Sequence, residues 1–118
     1  MDRICFIPHR GQRILLVDFT DCSPEEVAVI ADGVPDTVTQ EPLGSILLLA
    51  DFSGSQFSGE AFERVKIAAA RDKPDLKRSA WVLTQNLPKA LYDSVLSFSA
   101  RDIPIFTTRE EAMDYLVS

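Results

Sequence analysis

Along the chain, short apolar runs alternate with longer stretches in which apolar residues recur every three or four positions. The order reads strand, strand, helix, strand, helix, strand, helix, strand, helix. Strands are expected over residues 4–7, 13–19, 46–50, 80–83 and 103–106. Between the first two lies the polar stretch Pro8-His9-Arg10-Gly11-Gln12, whose length and glycine predict a hairpin, so strand one runs antiparallel to strand two. The runs at 46–50 and 80–83 are apolar at every position, the pattern of parallel strands covered on both faces. Pro104 cannot donate a ladder hydrogen bond, which makes the last strand an edge.

Helix starts are marked by capping residues. Ser23-Pro24-Glu25-Glu26 puts a hydroxyl at the N-cap, proline at the first helical position and a glutamate where it closes a capping box, with Cys22 and Val27 placed as a staple. Val27, Ile30, Val34 and Val38 continue one apolar face, but Gly33 and Pro35 predict a break near Gly33-Val34. A second helix begins at Ser58, with Phe57 and Phe62 flanking the cap, and stops at Lys73-Pro74. A third is expected over 87–98 behind Asn86, with Leu87, Leu91, Val95 and Phe98 inward. The last starts at Thr107 or Thr108 and buries Ala112, Met113 and Leu116. The fold class implied is α/β: a single mixed, mostly parallel five-stranded sheet with an N-terminal hairpin and about four helices. No repeat, linker or low-complexity tract interrupts it, so residues 1–118 are read as one domain.

Composition narrows the class. With 46% hydrophobic and 25% charged residues the chain matches one ordinary globular domain. The longest apolar runs are a handful of residues, against about 20 for a membrane span, and Asp2 and Arg3 open the chain without a signal-peptide pattern. A cytoplasmic location is expected. Cys5 and Cys22 form no metal or redox spacing and read as small buried hydrophobes. A net charge of −6 argues against general nucleic-acid binding. The charge is uneven, however. From Glu60 to Arg78, six bases against four acids leave +2, hence −8 for the remainder, and a partner could dock on this stretch unless it is simply a solvated helix face.

Ligands of parallel sheets gather at the carboxyl ends of strands, beside helix N-termini. Those loops carry Asp18, Thr20 and Asp21; Asp51, Ser53, Gly54, Ser55, Ser58 and Gly59; Thr84, Gln85 and Asn86; Thr107 and Thr108. One sharp reading is a receiver-like, magnesium-dependent phospho-acceptor, with Asp51 as acceptor and Asp18 and Asp21 as ligands. A plainer reading has these residues capping turns and helices. Gly54 and Gly59 bracket a loop able to approach a small anion. His9, the only histidine, falls in the hairpin turn, where it is expected to be solvated and without a nucleophile partner. No catalytic residue, metal site or cofactor site is assigned. The third helix carries few charges, and Leu91, Tyr92 and Leu96 widen its apolar stripe. It either packs inside the monomer, forms a partner or dimer surface, or gates an apolar ligand.

Several phrases resemble the SpoIIAA-like family, whose members have the STAS fold of sulfate transporter and anti-sigma-factor antagonist domains. They are the strand 13–18, the run 45–54 ending Asp51-Phe52-Ser53-Gly54, the strand 78–83, and above all the close Ile105-Phe106-Thr107-Thr108-Arg109-Glu110-Glu111. The resemblance covers nearly the whole chain and implies a non-enzymatic regulatory or protein-binding domain, bacterial in style. In such antagonists a serine opening a helix is phosphorylated, and its counterpart is Ser58. The aspartate and first serine of the family phrase are absent here, and Glu60 follows close behind. A small apolar or anionic ligand, lipid-like or nucleotide-like, is the competing expectation.

Overall fold

The computed structural model describes residues 3–85 and 89–118. Ten elements follow one another: strand β1 Ile4–His9, β2 Gln12–Asp18, helix α1 Pro24–Val38, β3 Ile46–Asp51, α2 Gly59–Asp72, a short 3-10 turn Lys73–Asp75, β4 Leu76–Val82, α3 Lys89–Ser99, β5 Ile105–Phe106 and α4 Arg109–Val117. The five strands form one sheet in sequence order, antiparallel between β1 and β2 and parallel thereafter. This is the expected α/β architecture, with β1 and β5 at the edges.

The hairpin is tighter than the polar stretch implies. His9 pairs with Gln12, leaving a two-residue turn in which Arg10 (φ 50°) and Gly11 (φ 78°) both take the left-handed region that matches strand twist. Each strand alternates its side chains between two layers. Leu15, Val17, Leu48, Ala50 and Trp81 face α1, α2 and α3, whereas Ile14, Leu16, Leu47, Leu49, Ala80 and Val82 face α4 alone. All six residues of β3 are buried, as a doubly covered strand requires.

Several boundaries differ from the sequence reading: β1 runs on to His9, and β5 is only Ile105–Phe106, with Ile103 and Pro104 outside it. Helix α1 runs unbroken through Gly33 and Pro35. Pro35 lies in the last turn, where it removes one hydrogen bond, and it is buried beside Val34 and Val38, whose packing outweighs that loss. A Cβ at Gly33 would meet Ile4 at an ordinary 3.6 Å contact, so the position does not demand glycine. Strand β4 starts four residues before the apolar run, because pairing with β3 draws in Leu76–Ser79, with an irregularity opposite Ile46/Leu47. The expected start of the third helix at Leu87 behind Asn86 lies outside the described residues. Among the described residues, no helix is long and apolar enough to cross a membrane.

Candidate functional site

The carboxyl ends of β2, β3 and β4 carry loops that are tied to one another through the main chain. Phe19 N–H donates to Asp51 O (2.8 Å), Asp21 N–H to Ser53 O (3.1 Å), Phe52 N–H to Val82 O (2.8 Å) and Gln56 N–H to Cys22 O (2.9 Å). Phe52 anchors the loops from below. It stacks on Phe19 (4.4 Å between centroids) and meets Trp81 and Phe57 at 4.9 and 5.5 Å. Gln85 laces the top: its Oε1 accepts from Gly54 N–H at 3.1 Å, and its Nε2 donates to Phe52 O and Ser55 O. Glycine suits position 54 because its φ of 75° lies in the left-handed region, and a Cβ there would also push the Asp21 carboxylate aside. Gly59, by contrast, faces open space.

An ionic cluster closes this rim. The Arg109 guanidinium donates from Nε to Asp51 Oδ2 at 2.6 Å and lies 3.6 Å from Asp18 Oδ1, which Arg3 approaches at 3.5 Å from the other side. Asp51 is 4% exposed, and its Oδ1 accepts from Ser53 N–H at 3.0 Å, so both carboxylate oxygens are engaged. Asp18 Oδ1 also takes the Thr20 hydroxyl (2.6 Å) and N–H (2.9 Å). Burial alone would push the Asp18 carboxyl up; the Thr20 hydrogen bonds, with Arg109 and Arg3, outweigh it and hold the group below the ordinary carboxylate range. Arg109 is the first residue of α4, a position where helix polarity disfavours a cation. The two aspartates facing it offset that cost.

Chemically, this geometry restricts the rim. A phosphoryl group or magnesium ion at Asp51 would have to displace Arg109. Among the described residues, no three His, Cys, Asp or Glu side chains converge to hold a metal ion. The β3–α2 loop offers little to an anion either. The N–H groups of Ser53, Gly54, Ser55 and Gln56 already donate to Asp51, Gln85, Phe52 and Cys22. Ser55 is buried, with its hydroxyl on Phe52 O.

Ser58 stands apart from that cluster. It is exposed, caps α2 by accepting from Ala61 N–H (3.1 Å), and is framed by the expected staple, Phe57 edge-on to Phe62 at 5.2 Å. It opens onto a groove of about 210 Å³ between the first turns of α1 and α2, walled by Pro24, Glu25, Ala28, Glu60 and Ala61. A phosphate added at Ser58 would gain from two helix N-termini and lose to Glu25 and Glu60. The capping box at Ser23 and Glu26 forms as expected, and Thr108, not Thr107, caps α4.

Other expectations are corrected. His9 is not a solvated turn residue: it ends β1, half-buried, with Nε2 2.9 Å from Asp114 Oδ1 on α4, a carboxylate that Arg10 also reaches at 3.2 Å. Leu91, Tyr92 and Leu96 are half-buried against the core, which matches packing inside the monomer, one of the three readings of this helix. Tyr92 donates to Ile103 O and meets Trp81 edge-on at 5.9 Å. Phe98, expected inward, is 55% exposed, because Ser99 takes the inner position with its hydroxyl on Val95 O. Both thiols are free, on opposite faces of the sheet. Between α1, α2 and the sheet a cavity of about 40 Å³ remains, with Asp72 and Arg101 at its polar end, room for a few waters and not for a lipid chain.

The residues that sequence reasoning missed are the ones that close the rim. Arg109, Gln85 and Arg3 act across 58, 31 and 15 residues of chain respectively. The one available signal is a base at the head of an otherwise acidic helix turn. No family model matches the chain, and no curated protein or solved structure matches it significantly.

Proposed function

We propose that the chain is a non-enzymatic regulatory or protein-interaction domain of the SpoIIAA-like, STAS type, working through its surface by binding a polypeptide or a second copy of itself. The observation that carries this reading is the self-saturated rim. At the strand ends where α/β ligands gather, Asp51 and Asp18 are neutralised by Arg109 and Arg3, and the loop amides are internally bonded. Such an arrangement holds loops in one shape and presents their outer surface, with Ser58 exposed on it. The cap at Ser58 also fits the phosphorylation that the resemblance implies; intact mass after incubation with ATP and candidate kinases tests that part separately.

Native mass spectrometry of freshly purified protein, backed by sedimentation velocity, tests the reading. A homodimer, or a co-purified polypeptide that rebinds stoichiometrically after separation, agrees with it. A retained apolar or anionic small molecule would instead make the chain a carrier. Phosphate stably held on Asp51, or consumption of a metabolite by the pure protein, would overturn it.

A further inference from the structure

The chain carries 18 acidic and 12 basic residues, and most of its bases are paired. Arg3, Arg10, Arg13, Arg64, Lys66, Lys89 and Arg109 each lie within 4 Å of an Asp or Glu. Among the described residues, five have no such partner, Arg71, Lys73, Lys77, Arg78 and Arg101. Four of those five line a single cleft. It measures about 330 Å³ and lies between the first half of β4, the turn Ala100–Asp102 and Tyr115 of α4. Asp102 is the one acid in its wall.

Topology explains why the cleft exists. β5 is two residues long and pairs only with Trp81 and Val82, so the outer side of Leu76–Ser79 is not covered by a neighbouring strand. Arg78 and Arg101 are held in place by hydrogen bonds to oxygen acceptors. Arg78 donates to Tyr115 O and Ser118 O at 3.1 and 2.8 Å; Arg101 donates to Ala69 O at 3.1 Å and to the Ser79 hydroxyl. Lys73 and Lys77 are exposed at the mouth. In an acidic protein four basic side chains around one cleft, with a single acid in its wall, offer the charge complementarity that steers and holds an acidic partner.

We infer that the cleft beside Leu76–Ser79, ringed by Lys73, Lys77, Arg78 and Arg101, is the docking site for an extended acidic segment of a partner polypeptide. A second copy of this chain does not suit it, since two such clefts meeting face to face would set cation against cation. The inference rests on the interaction reading above but places the contact at the end of the sheet opposite the closed rim.

The test is fluorescence anisotropy at low salt with a short labelled peptide alternating glutamate and valine, and the same peptide with lysine for glutamate as control. Saturable binding of the acidic peptide alone is expected, weakened on the order of tenfold in Lys73→Glu/Lys77→Glu and falling with salt. Amide shifts in a heteronuclear NMR titration should cluster at residues 73–79 and 100–102. Both lysines are exposed, so the variant keeps its fold, checked by circular dichroism. Absence of saturable binding, undiminished binding by the double variant, or shifts located elsewhere would overturn the inference. So would tighter binding of a single-stranded oligonucleotide, or a dimer abolished by the double variant. A co-purified partner that stays bound to the double variant would remove the cleft as its place while leaving the interaction reading intact.

Discussion

Each end of the sheet places a buried aspartate near an arginine, with opposite outcomes. At the carboxyl end, Asp51 is bonded directly by Arg109 and by the Ser53 N–H, and no oxygen is left over. At the other end, Asp72 is 3% exposed at the close of α2, its Oδ1 has no hydrogen-bond partner, and nearby Arg101 donates to Ala69 O and Ser79 instead. Burial pushes the Asp72 carboxyl up to about 7, with Asp75 adding to the shift and Arg101 opposing it. Burial likewise lowers the Arg101 group to about 10, so it stays charged. A buried pair whose geometry is completed acts as a fixed strut, whereas one left incomplete leaves charge available to protons and partners. The difference separates an end whose buried carboxylate is fully bonded from one whose buried carboxyl is left short of a partner.

The sharpest way to break this comparison is to remove the aromatic floor of the closed end. Phe52→Ala should lower unfolding free energy in urea by about 4 kcal/mol, since the ring is fully buried among three aromatic partners. A loss below about 1 kcal/mol would mean that the rim stands on its ionic cluster alone. Arg109→Gln leaves the buried Asp51 without its cation and should cost about 2 kcal/mol, less than for a fully buried pair because Arg109 is partly exposed. Most of that loss should return when Asp51→Asn is added, a coupling that a double-mutant cycle measures directly.

The open end predicts a pH dependence. The folded chain retains a proton on Asp72 that the unfolded chain releases near 3.8, so this group makes stability fall as pH rises from about 4 to about 7, and level off above. Asp72→Asn should flatten that segment of the profile and raise stability by about 1 to 2 kcal/mol at about pH 8. An unchanged profile would show that the carboxylate is solvated after all. The smallest effect concerns Ala100, which sits at φ 53° just after α3 and starts the turn that carries Arg101. Ala100→Gly should gain about 0.5 to 1 kcal/mol in thermal or urea unfolding by relieving that conformation, and a loss would show that the methyl group packs.

Much of the architecture was legible because it rests on local signals. The capping box at Ser23 and Glu26, the staple of Phe57 on Phe62, and the all-apolar run of β3 each declare their element within a few residues. The departures arose where a distant partner outweighed local preference. Pro35 is tolerated because the core holds its turn, Leu76–Ser79 become strand because β3 offers a ladder, and Phe98 yields the inner face of α3 to Ser99. Of the candidate site, the aspartates, serines and glycines at the strand ends were readable. Their neutralisation by Arg109 was not.

By itself, then, the sequence determined the order and type of the elements, the antiparallel entry of β1 and the placing of polar residues at strand ends, since periodicity and capping act over one or two helical turns. Only the tertiary structure decided which charges meet. Arg109 closes on Asp51, while Lys73, Lys77, Arg78 and Arg101 are left facing one cleft, because electrostatic partners are chosen by distance in space after the sheet has brought far segments together.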